Sequence, residues 1–194
     1  MAVFALQQEV VPISLPGWEV VNVVTGIGKA RAALMTMKAL QEHRPQAVLN
    51  VGTAGTFSLK VGDIVVCSRF WDRDFARCAL PGIDFDLQGS QHPLAEYLCS
   101  LVDGQPVDKP FMVSTGDDFV TEGEKGSADV VDMESFAVLQ ACREEGVPML
   151  SVKYVTDIIG QNSTTQWEER LADARRGIQH YFALIAQAME GSQV

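Results

Sequence analysis

The chain has 194 residues, 47% of them hydrophobic and 21% charged, which is enough to bury one substantial core. Its formal net charge is −10 and its Lys and Arg residues form no cluster, so nucleic acid is not an expected partner. No stretch approaches the roughly 18 apolar residues that a membrane helix needs, so no membrane partner is expected either.

In chain order, VFAL at 3–6 reads as a strand, followed by the polar QQE. EVVNVVTG at 19–26 reads as a second strand, and KARAALMTMKALQEH at 29–43 as a strong helix stopped by Pro45. AVLNVG at 47–52 has the composition of a strand buried on both faces, with TAG as a small-residue turn behind it. VGDIVVCSRF at 61–70 and FMVSTGDDF at 111–119 are further strands. A buried helix is predicted from Asp132 to Glu145, ended by Gly146 and Pro148. MLSVKYV at 149–155 is a strand, TDIIGQNS a loop, and the segment from Thr165 to Glu190 a long amphipathic helix.

This alternation predicts an α/β fold with helices on both faces of a largely parallel or mixed sheet. No linker or repeat breaks the chain, so one domain over residues 1–194 is expected. MAVFALQQEV lacks the basic start of a signal peptide. Cys67, Cys78, Cys99 and Cys142 form no C-x-x-C, and His43, His92 and His180 share no ligand spacing. Reduced thiols, a cytoplasmic location and no metal site are therefore expected.

TGIGKAR at 25–31 looks like a nucleotide loop but fails the fingerprints, since Arg31 stands where a third glycine belongs and no Ser/Thr follows the Lys. It reads as a tight strand-to-helix turn. Ligands of such sheets bind beyond the carboxyl ends of strands. That rule selects Glu9, Thr53 to Gly55, Asp117 to Phe119, and Asp157. Each acid has an ordinary explanation as well. Glu134 fits a first helical turn, Asp157 a cap or turn, and Glu9 a solvated loop. Local sequence leaves these alternatives open.

GDDFV, VDMES, the VTD ending strand 149–155, and LNVGTAG followed by LKVGDIVV together resemble the nucleoside phosphorylase/nucleosidase family. Within it the pattern is similar to the methylthioadenosine/adenosylhomocysteine nucleosidase branch, over most of the chain. The resemblance implies a three-layer α/β/α sandwich with a central mixed sheet, usually a homodimer. It also implies a small-molecule purine nucleoside as ligand, with no metal or organic cofactor. Carried onto this chain, Asp157 is similar to the acid that protonates the leaving base, Glu9 to the group that activates water, and Glu134 to the binder of the ribose hydroxyls. Met133 stands beside Glu134, Phe119 resembles the ring that stacks on the base, and Val120 offers its backbone to the base edge. Thr53 lies near the water, and Ala54 and Gly55 line sugar and base.

N-glycosidic cleavage passes through a ribosyl group with oxocarbenium character, so a proton for the base and acids near the sugar suit it. General acid catalysis of this kind contributes about 10²–10⁴-fold, and it requires surroundings that favour a proton on Asp157. Phosphorylases of the family hold phosphate with arginines in the first loop and before the glycine-rich turn. Here those places read LQQEVV and Asn50, so water is the expected nucleophile and the expected activity is purine nucleoside hydrolysis. Lys153 replaces an arginine usual in nucleosidases, and Leu6 a methionine. TEGEKGSADV is shorter than the usual connection, and WDRDFARCALPGIDFDL departs from the usual sequence. These departures leave the 5′ substituent open, so adenosine, inosine or an aminodeoxyfutalosine-like nucleoside stay as alternatives. A phosphorylase and a non-catalytic nucleoside binder on the same fold also remain. The reading requires Glu9 and Asp157 to share one cavity.

Overall fold

The computed structural model describes residues 1–78, 81–89, 92–100, 111–121, 128–161 and 163–191, with the backbone alone over 163–166. Eight strands are present among these residues: β1 (Ala2–Phe4), β2 (Asn22–Val24), β3 (Val48–Thr56), β4 (Ile64–Asp72), β5 (Asp86–Gln88), β6 (Phe111–Thr115), β7 (Val130–Asp132) and β8 (Met149–Ile158). The helices are α1 (Lys29–His43), α2 (Arg73–Cys78), α3 (Leu94–Ser100), α4 (Ser135–Glu144) and α5 (Ser163–Gly191), with a single 3-10 turn at Gln7–Glu9.

Period-two alternation along the central strands supplies two cores. Val48 and Ala54 of β3, Met149 and Val155 of β8, and Val3 of β1 face a cluster that includes Ala32 and Leu40 of α1 and Phe136 to Leu139 of α4. Leu49 and Val51, Leu150 and Val152, and Phe4 face the opposite way, towards Leu94 and Leu98 of α3 and Ile178, Phe182 and Ile185 of α5. A strand apolar on both sides must be covered on both sides. The result is three layers, α1 and α4 on one face of the sheet and α3 and α5 on the other. Burying a side chain such as Ile185, which is 0% exposed, contributes roughly 1.5–3 kcal/mol. The expected α/β/α sandwich is the observed one.

The sheet is mixed. β1, β2, β3 and β8 run parallel. β4 is antiparallel to β8 and parallel to β6, and β6 is parallel to β7. β7 then meets β3 in an antiparallel pairing at Val131 and Gly55. Five strands therefore close into a ring of pairings, which draws the ends of β3, β7 and β8 together.

The boundaries that differ most from expectation lie at that closure. β3 continues to Thr56 through the residues expected to turn, because Gly52, Thr53, Ala54 and Gly55 keep pairing with β8. β8 runs on to Ile158, so Asp157 lies inside a strand rather than in a following loop. The helix expected from Asp132 begins at Ser135, because Val130–Asp132 is drawn into the sheet as β7. The 111–119 strand likewise stops at Thr115. By contrast TGIGKAR is the tight turn expected, with positive φ at Gly26 (89°) and Gly28 (90°). Among the described residues no helix is long and apolar enough to cross a membrane.

Candidate active site

Small residues on β3 make room for acids. A Cβ at Gly52 would stand 3.2 Å from Glu9 Oε1, and one at Gly55 would stand 2.9 Å from Asp157 Oδ2. The register between β3 and β8 slips at Ala54/Gly55, so that Gly55 lies opposite Asp157 and Thr156 is the extra residue. Such a bulge re-aims the side chain beside it, here Asp157, whose Oδ1 accepts a hydrogen bond from Thr156 Oγ1 at 2.9 Å. The glycines are clearance rather than a turn.

Glu9 is 4% exposed at the end of the 3-10 turn, not a solvated loop charge. Its Oε1 accepts the Thr53 N–H at 3.0 Å and the Thr53 hydroxyl at 2.8 Å, while Oε2 accepts the Leu6 N–H at 3.1 Å. Glu134 is not a first-turn residue of α4. It precedes the helix, and its Oε1 reaches across the sheet to accept the Gly28 N–H at 2.9 Å, at the start of α1. The α4 terminus is served instead by Asp132, whose Oδ2 accepts the Ser135 N–H at 3.0 Å.

Beneath these acids lies a buried ion pair. Lys153 Nζ is 2.9 Å from Asp132 Oδ2 and donates to Asn50 Oδ1 at 2.5 Å. Asp132 Oδ1 accepts the Thr115 hydroxyl at 2.6 Å. Burial opposes both charges. Lys153, with the Ser135 and Thr115 hydroxyls, nevertheless holds the Asp132 carboxyl below its usual range, and Asp132 with Glu134 keeps the Lys153 ammonium above its own. Glu134 gains no such relief. Its burial, then repulsion from Asp132, push it from the ordinary 4.5 to about 7, against the pull of Lys153 and the Gly28 N–H.

Of the residues singled out from the sequence, all but Asp117 border one cavity of about 310 Å³, while Asp117 Oδ1 accepts the Lys29 N–H at 2.7 Å at the start of α1. Glu9 enters from the 3-10 turn, Thr53, Ala54 and Gly55 from β3, and Lys153 and Asp157 from β8. Met133 and Glu134 come from the β7–α4 junction, and Phe119 and Val120 from the segment after β6. Leu6 lines the cavity too. Of the TEGEKGSADV connection, residues 122–127 lie outside the described residues.

Among the wall residues that sequence reasoning missed, Arg73 and Trp167 carry polar contacts at the site. Arg73, in the divergent WDRDFARCA segment, is 7% exposed and borders the cavity. A buried arginine leaves no trace in local pattern. Trp167, in the first turns of α5, donates its indole N–H to Thr53 Oγ1 at 3.0 Å and meets Phe119 edge to face, centroids 6.2 Å apart. A tryptophan on an amphipathic helix was the available signal, and it reads equally well as core. Among the described residues no group of three or more His, Cys, Asp or Glu is arranged to hold a metal ion.

The chemistry of the arrangement is specific. An apolar cavity with one half-exposed ring, and Glu9, Glu134 and Asp157 enclosed at separate points of its wall, can hold a flat base and a polyol. It can also supply and accept protons at different places.

The chain resembles known proteins in sequence and in fold. The 5′-methylthioadenosine/S-adenosylhomocysteine nucleosidase of Bacillus cereus (strain G9842) is 31% identical over 179 residues, covering 82% of this chain and 77% of that protein. The crystal structure of the nucleosidase of that kind from Colwellia psychrerythraea 34H, in complex with adenine, superposes with a TM-score of 0.79 at 26% identity, over 97% of this chain and 93% of the other. Futalosine hydrolase of Helicobacter pylori strain 26695 shares the fold, with a TM-score of 0.77 at 17% identity over 96% of each chain. A sequence model described as the phosphorylase superfamily matches residues 7–190, and the chain belongs to that superfamily.

Proposed function

We propose that this protein is a purine nucleosidase, an N-glycosidic hydrolase that releases the base of an adenine-type nucleoside of the methylthioadenosine or adenosylhomocysteine kind. The observation that carries the reading is the meeting of Glu9, Glu134 and Asp157, acids from distant parts of the chain, around one cavity. Phe119 stacks on the base and the Val120 backbone meets its edge. Met133 and Glu134 hold the ribose hydroxyls, with Ala54 and Gly55 beneath. Asp157 gives its proton to N7 as the C1′–N9 electron pair leaves with the base. Water bonds to C1′ and passes its proton to Glu9, beside Thr53. The enclosed acids face the positive charge that develops on the sugar. No cofactor is needed for this sequence of steps.

Water rather than phosphate is the nucleophile in this reading. The two cations bordering the cavity are already engaged, Lys153 by Asp132 and Asn50, and Arg73 by Asp118 and backbone carbonyls. A divalent phosphate needs guanidinium or ammonium partners with donors to spare. Three further points belong to the proposal: one domain over 1–194, a cytoplasmic location, and a place in methionine salvage. A homodimer is inferred as well, supported by the exposed apolar Ile27 in the turn before α1, Leu34 on α1 and Phe75 on α2.

The test is a base-release assay on methylthioadenosine, adenosylhomocysteine, adenosine, inosine and aminodeoxyfutalosine, each with and without phosphate. Free base and free sugar at a phosphate-independent rate are expected from the first two. Sugar 1-phosphate as product would make the protein a phosphorylase, and binding without release would make it a nucleoside binder.

A further inference from the structure

The hydroxyl of Thr53 has one proton to give. The Trp167 indole N–H is a donor only, and at 3.0 Å it occupies a lone pair of Thr53 Oγ1. The Thr53 proton is therefore directed away from Trp167, along the 2.8 Å contact to Glu9 Oε1. With the Thr53 N–H also on Oε1 at 3.0 Å, both in-plane lone pairs of that oxygen are filled. Oε2 accepts only the Leu6 N–H among the described contacts, which leaves it one acceptor position.

We propose that Trp167 is a positioning residue for water activation: it directs the Thr53 hydroxyl into Glu9 Oε1 and so reserves Glu9 Oε2 for the proton of the attacking water. This rests on the nucleosidase reading above and deepens it. Glu9 is the catalytic residue that receives the proton, and Trp167 acts on it through Thr53. α5 thereby joins, through Thr53, the acid held at the 3-10 turn. Without the indole N–H, the Thr53 hydroxyl is free to rotate towards other acceptors, and Oε1 competes with Oε2 for the water.

A double-mutant cycle on the full-length protein tests this. Trp167→Phe keeps a ring against Phe119 and removes the N–H. Thr53→Val keeps the shape and removes the hydroxyl. Trp167→Phe is expected to lower kcat about tenfold, the scale of one lost hydrogen bond, with KM changed by less than about twofold. In the Thr53→Val background it is expected to add nothing, because the hydroxyl it steers is gone. Trp167→Leu follows the same cycle and serves if the Phe variant unfolds.

A rise in KM at unchanged kcat would make Trp167 a wall for the base and overturn the proposal. So would equal losses from Trp167→Phe with and without the Thr53 hydroxyl. If the wild-type protein releases base and Trp167→Phe is unaffected, the relay alone is wrong. If the wild-type protein releases none from any nucleoside, the nucleosidase reading fails first.

Discussion

Lys153 Nζ sits 2.9 Å from Asp132 Oδ2 with both side chains almost fully enclosed, 3% and 1% exposed. Such a pair is weak evidence for stability as a whole, but breaking it leaves a charge with nowhere to go. Lys153→Met is expected to cost about 3–5 kcal/mol, because Asp132 remains as an unpaired buried carboxylate. Adding Asp132→Asn should return part of that loss. Urea unfolding of wild type and the two variants measures it, and a double variant no more stable than Lys153→Met would contradict the pairing as the source.

Glu134 makes stability depend on pH. Its pKa is raised from 4.5 to about 7, by burial first and Asp132 second. The folded state therefore holds a proton that the unfolded chain has released. The stabilisation is fully present below about 4.5 and is lost as pH rises through about 7, a total of about 3 kcal/mol. Glu134→Gln is neutral throughout and can still accept the Gly28 N–H. It is expected to be more stable than wild type at pH 8, by up to about 3 kcal/mol, with little advantage at pH 5. Base release should fall at both values. Parallel denaturation curves at the two pH values decide this, and a constant difference would rule it out.

The layers of this fold were legible because two-sided apolar strands and a 3.6-residue period in α1 and α5 are local properties. The site was legible in its residues but not in its geometry. Glu9, Thr53, Glu134 and Asp157 could be listed, yet the bulge that re-aims Asp157 depends on β3 as a partner. The start of α4 was misplaced for a related reason. Val130–Asp132 has no strong pattern of its own, and it becomes a strand only because Thr115 and Gly55 stand on either side. Arg73 and Trp167 were invisible because their partners lie about 40 and 114 residues away, in segments that carry no matching signal.

Gly55 lies where the strand pairing leaves no space for a side chain. A Cβ there would meet Asp157 Oδ2 at 2.9 Å and Ile159 Cγ1 at 3.2 Å. Gly55→Ala is expected to push the carboxylate off its line and to lower kcat about 10²-fold, the scale of a misplacement of about 1 Å. The strand conformation itself accepts alanine, so thermal stability should change much less. A variant with wild-type kcat would show that Asp157 does not need its present position.

Arg73 holds the roof of the cavity. All five of its N–H donors have acceptors: the Ser114 and Asp132 carbonyls at 2.9 and 2.8 Å, the Gly116 carbonyl at 3.0 Å, and Asp118 through its carbonyl at 2.5 Å and its Oδ1 at 2.8 Å. The first two anchor the ends of β6 and β7, and the others the backbone leading directly to Phe119 and Val120. Lysine offers three donors on a flexible stem and cannot span this set. Arg73→Lys is expected to lose about 2 kcal/mol of stability through carbonyls left without partners. It should also raise the nucleoside KM about tenfold, since Phe119 and Val120 lose their fixed approach, while kcat changes less. Steady-state kinetics on the folded variant give the answer. A fall in kcat at constant KM would place Arg73 on the chemical step rather than under the base.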